Sequence, residues 1–220
     1  MDLSIVQLVA VYAIRVIFAI TLHEAAHGLA ASRLGDSTAR VLGRVSANPL
    51  KHIDPVGTLL VPGLILLASK AMGGMMLFGW AKPVPVVQRN LRSPKRDMGL
   101  VAAAGPAANL VMALGWALIL KAMILVGAAN SGTEFFLRMC GAGISVNLVL
   151  AVLNLLPVPP LDGGRILVSV LPARLADPVS RLEPYGLIIL LVLLASGKLG
   201  EILLPMVNLG YDVLIALLGL

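Results

Sequence analysis

The chain is poor in charge, aromatic rings and thiols. Only 13% of its 220 residues are Asp, Glu, Lys or Arg, and only 4% are Phe, Trp or Tyr. Average soluble domains carry about 25% charge and roughly 45–50% apolar residues. Here 59% are hydrophobic, and with so few rings that content is aliphatic, as in lipid-facing helices. One membrane domain is the economical reading. No polar stretch is long enough for a separate soluble domain. A single cysteine, Cys140, leaves no disulfide framework and no thiolate metal cluster. Histidine occurs three times and glutamate four times, so any chemistry has few residues to draw on.

The apolar residues fall into long runs. The first covers Leu3 to Ala31, with Arg15 and Glu24 as its only charges. The second, Val56 to Trp80, is interrupted by Pro62, Lys70 and Gly73-Gly74. A third spans Met98 to Val126 and a fourth Phe135 to Leu156, followed by a short amphipathic piece near Ile166 to Leu175. Residues 184–220 read either as one span with an interfacial helix or as two spans. The predicted fold is an all-α polytopic membrane protein of about five to six hydrophobic segments. It forms one domain over 1–220, with its core at 3–175 and apolar helices at 184–220. Val41 to Ser46 reads as a short strand.

Charge orients this plan. Net charge is +6, and the basic residues concentrate in loops 33–54 and 82–97. That is the positive-inside pattern, not a nucleic-acid footprint, and it puts both loops in the cytoplasm. Residues 56–80 then enter and leave on one side, as a re-entrant or hairpin element. Such a backbone is tolerated only where protein or water covers it. The N-terminus is expected outside.

The first run contains His23-Glu24-Ala25-Ala26-His27 in its last third. Ionisable residues are costly in hydrocarbon and mark function there by default. Positions i and i+4 share a helix face, so His23 and His27 can offer two imidazole nitrogens to one metal. Glu24 lies about 100° round the helix, off the ligand direction but close enough to act as general base. A catalytic zinc takes three protein ligands and keeps one open position. Metzincins place the third six residues after the second His, and Arg33 stands there. Asp36, Asp54 and His52 are near in sequence but lie in the loop. Asp162 directly follows an apolar span and is expected at the membrane level of the motif, although a plain Asp-Gly turn would look the same.

The ordered set HEAAH, then GPAAN (105–109), then NLLPVPPLDGGR (154–165) resembles the site-2 protease family of intramembrane metallopeptidases. SANPLKHIDPVGT and FGWAKPVPV are similar to its compact bacterial and archaeal branch. The resemblance covers most of residues 15–170. It implies one zinc per chain on His23, His27 and Asp162, with Glu24 as base. It implies cleavage of the transmembrane segments of membrane proteins or single-span peptides, often to release a regulator. It also implies a role in holding substrate or the oxyanion for Asn154, eight residues before Asp162. The expected location is a prokaryotic plasma membrane, with the site near the cytoplasmic side. No PDZ-like insertion is present, so selection by such a module is not expected. A catalytically silent scaffold and a zinc transporter or sensor are the rival readings. The sequence leaves the oligomeric state open.

Other polar residues carry smaller expectations. Arg15 pairs with a carboxylate or turns to water. Lys121 snorkels outwards, and Glu134 pairs with a basic group. Arg165 anchors the topology or supports the site. Trp80 and Trp116 sit at the interface, and His52 is not a ligand.

Overall fold

The computed structural model describes residues 5–60, 82–127 and 133–219. Among them there are helices and loops and no strands. The long helices are α1 (Ile5–Arg33), α3 (Pro94–Leu125), α4 (Glu134–Leu155) and α8 (Lys198–Leu218); the shorter ones are α2 (Thr38–Val41), α5 (Asp162–Val170), α6 (Ala173–Ser180) and α7 (Gly186–Ala195). Among the described residues four stretches are long and apolar enough to cross a membrane: α3, α4, residues 173–195 and α8. The second apolar run, with its expected re-entrant element and Trp80, lies almost wholly outside the described residues.

α3 is the central helix and packs on α1, α4 and α5; α4 in turn meets α8. The α3–α4 seam is built on small residues. Ala113 and Ala117, one turn apart, are fully buried against Ile144, Leu148 and Val152, with Val207 of α8 closing the cluster. Without water to drive association, small side chains that let backbones approach are what hold membrane helices together. Gly143 serves the same purpose, since the Trp116 ring lies where its Cβ would be. Trp116 is therefore a packing residue between α3 and α4, not an interfacial anchor. The Arg15 guanidinium sits 5.9 Å from the centre of the Trp116 ring, within cation–π range.

Two further expectations are corrected. Residues 41–46 form no strand: α2 ends at Val41, Gly43 turns with φ +64°, and the Arg44 guanidinium is occupied by the carbonyls of Lys51, Lys82 and Pro83. Lys121 does not snorkel outwards, because its ammonium donates to the Leu218 carbonyl at the end of α8. An unmade bond to a helix-terminal carbonyl is costly in an apolar setting, which favours the inward reach. Glu134 pairs as expected, with Arg138 at 2.6 Å. The C-terminal segment breaks at Gly197, which has φ +74° between α7 and α8.

Candidate metal centre

Three elements bring the site together near one end of the bundle. α1 supplies His23 and His27, α5 supplies Asp162 at its first residue, and α3 passes behind the two rings. His27 lies six residues from the end of α1, about 9 Å along its axis. α3 can pass so close because position 105 is glycine. A Cβ there would overlap the rings of both His27 and His23. Asp162 is held by the turn that follows α4, where Gly163 rests on the carbonyls of Leu155 and Leu156.

His23, His27 and Asp162 are all buried, at 6%, 9% and 7% exposure. Their Nε2, Nε2 and Oδ2 atoms converge. The two Nε2 atoms are 3.0 Å apart, and Asp162 Oδ2 is 3.1 Å from that of His23 and 3.3 Å from that of His27. A tetrahedral ion with bonds near 2.0–2.1 Å has ligand–ligand edges of about 3.3–3.4 Å.

The ring protons support the same fit. His27 Nδ1 donates to the Val101 carbonyl at 2.7 Å, and a carbonyl can only accept. His23 Nδ1 lies 2.5 Å from Asn109 Oδ1. With both Nδ1 atoms protonated, each neutral ring turns a bare lone pair on Nε2 toward the other and toward a carboxylate oxygen. Asp162 Oδ2 is buried and faces the two Nε2 atoms at 3.1 and 3.3 Å. Three lone pairs meeting in a buried cluster repel one another unless a cation, a proton or a metal ion, sits between them. The donor set, two imidazoles and a carboxylate, suits zinc.

Glu24 faces the loop. Its Oε2 accepts from the Val84 N–H at 2.8 Å, which ties the extended segment 82–87 to α1. The same segment is fixed at its far end by Asp36, a fully buried carboxylate that accepts from the Val87 N–H, the Asn90 amide and both the N–H and hydroxyl of Thr38. Burial opposes the Asp36 charge, but these donors outweigh it and hold the carboxyl below its ordinary value.

The remaining predicted residues have other partners. Asn154 donates its amide to Leu150 O at 2.9 Å, within its own helix. His52 bonds the Ser46 carbonyl and takes no part in the cluster. Arg165 pairs with Glu183 at 3.2 Å on the surface. Two residues received no role from the sequence: Asn109, the last residue of GPAAN, which meets His23, and Asn147, which meets Asn109. The available signal was an amide in the middle of each of two apolar runs.

Comparison with known proteins gives a consistent picture. Residues 121–196 match the model of "Peptidase family M50". The chain is 38% identical to "Putative zinc metalloprotease YwhC" of Bacillus subtilis, over 93% of this chain and 89% of that one. It is 30% identical to "Putative zinc metalloprotease Rip2" of Mycolicibacterium smegmatis, over 84% of this chain and 66% of that one. To the protein of the same description in Mycobacterium tuberculosis it is 31% identical, over 81% of this chain and 64% of that one. No solved structure matches the chain significantly.

Proposed function

Since this chain belongs to peptidase family M50, the site-2 protease family, we propose that it is a zinc-dependent endopeptidase that cuts the transmembrane segments of other membrane proteins. The observation that carries this reading is the convergence of three buried ligating atoms, on His23, His27 and Asp162. Their helices pack against α3 and α4, both candidate membrane spans, which supports chemistry inside the bilayer.

His23 and His27 would hold one zinc through Nε2, and Asp162 through a carboxylate oxygen. Bound there, zinc supplies Lewis acidity, which acidifies a water and polarises a peptide carbonyl. Glu24, one residue along α1, takes the proton of the attacking water and passes it to the leaving amine. Its bond to the Val84 N–H engages one of its two carboxylate oxygens. Asn154 keeps a second amide hydrogen beyond the one given to Leu150, and that hydrogen serves the developing oxyanion. A helical substrate must unwind locally, because its scissile carbonyl is otherwise engaged. Water arrives from the cytoplasmic side, where the basic loops 33–54 and 82–97 lie.

Purified protein should contain about one zinc per chain, and His23→Ala should abolish it. Glu24→Gln should keep the zinc and lower cleavage of a membrane substrate by about 10²–10⁴-fold. Cleavage at the wild-type rate by Glu24→Gln would reject Glu24 as the base. Zinc flux across proteoliposomes without proteolysis would favour a transporter.

A further inference from the structure

His27 and His23 have their ring protons set by different means. For His27 the acceptor is a backbone carbonyl, which has no proton to give and leaves no choice. For His23 the acceptor is Asn109 Oδ1, and a primary amide can present either an oxygen or an NH₂ group. Something else must decide which end of Asn109 faces the ring.

Asn109 and Asn147 are both buried, at 0% and 1% exposure. Asn109 Nδ2 donates to Asn147 Oδ1 at 3.0 Å, and Asn147 Nδ2 donates to the Gly143 carbonyl at 2.8 Å. The chain of bonds has one permitted direction. Gly143 O only accepts, so Asn147 must turn its NH₂ to it. Asn147 then offers oxygen to Asn109, and Asn109 offers oxygen to His23 Nδ1. The reverse order would press two carbonyl oxygens together in a dry interior. It would also put the His23 proton on Nε2, where a metal must bind. Buried polar groups of this kind are costly when unmatched.

We propose that Asn109 and Asn147 are positioning residues that transmit the polarity of the Gly143 carbonyl to His23 and so keep its Nε2 lone pair free for a metal. The relay runs from α4 through α3 to α1, and links a ligand helix to a helix that gives the site no ligand. The proposal deepens the zinc reading of the site and rests on it for its purpose. The direction of the bonds stands on the protein alone.

The chain has only three histidines, so their ring nitrogens can be resolved by ¹⁵N NMR of the full-length, metal-free protein in nanodiscs. In wild type, His23 Nδ1 should carry a proton. In Asn147→Leu the Asn109 amide loses its director, and the His23 Nδ1 signal should move toward the unprotonated form while that of His27 stays. Zinc affinity, read by chelator competition, should fall roughly 10–100-fold. Asn147→Asp, protonated in this apolar interior, still donates to Gly143 and accepts from Asn109, and should restore both readouts.

A wild-type His23 whose Nδ1 lacks a proton overturns the relay, whatever the variants do. A folded Asn147→Leu that loses zinc with an unmoved His23 signal also overturns it, as a purely structural effect. Wild-type protein that binds no zinc but shows the expected His23 signals leaves the relay standing and removes the protease reading.

Discussion

A methyl group at Gly105 would occupy the space of both ligand imidazoles. No rotamer of an alanine relieves that overlap, so α3 or the rings must move. Gly105→Ala should therefore lower zinc affinity by at least about tenfold, the scale seen when ligand orientation is lost, and metal analysis after gel filtration will read it. Asp36 tests a different dependence. Asp36→Asn keeps the shape but weakens the acceptor for several buried donors, and should cost about 1–3 kcal/mol at neutral pH. Because the folded Asp36 carboxyl sits below its ordinary value of 3.8, its contribution is complete above that value. It fades as pH falls through the lower, folded value. Thermal unfolding of wild type and Asp36→Asn should converge on acidification below pH 3.8. The residues differ in how far the sequence displays them. His23 and His27 announce themselves by spacing, and Asp162 by its place after a span. Asn109 and Asn147 are 38 positions apart, uncharged, and meaningful only once two helices are side by side.

Helices were legible where the apolar runs are long: α3 and α4 begin and end within a few residues of the expected Met98–Val126 and Phe135–Leu156. The expected strand at 41–46 is absent because a left-handed glycine and a three-carbonyl arginine clamp hold that stretch in a turn. The seam between α3 and α4 leaves no room at Ala117. Ala117→Leu should destabilise by about 1–3 kcal/mol through overpacking, measurable as a lower unfolding temperature in detergent. The Arg165–Glu183 pair, about half exposed on both sides, should matter far less. Arg165→Gln is expected to cost under about 1 kcal/mol.

At the scale of the whole molecule the charge pattern predicts a topology that labelling can test. Arg44→Cys and Arg89→Cys should react with an impermeant maleimide from the cytoplasmic face. Gly127→Cys should react from the other face, and Ser196→Cys from the cytoplasmic one, because the start of α8 packs by Leu156 and its end meets Lys121. The natural Cys140, at 2% exposure, should stay silent and give a clean background. Ser196→Cys labelled with Gly127→Cys would overturn that direction for α8. The Val84–Glu24 bond has a use here that no substitution offers. Pro83 and Pro85 on either side have no amide hydrogen, so the Val84 amide resonance stands alone in its stretch and rests directly on the Glu24 carboxylate. Its chemical shift is a native voltmeter for that carboxylate: it should register each gain or loss of charge on Glu24 in the unmodified protein, during turnover as well as at rest.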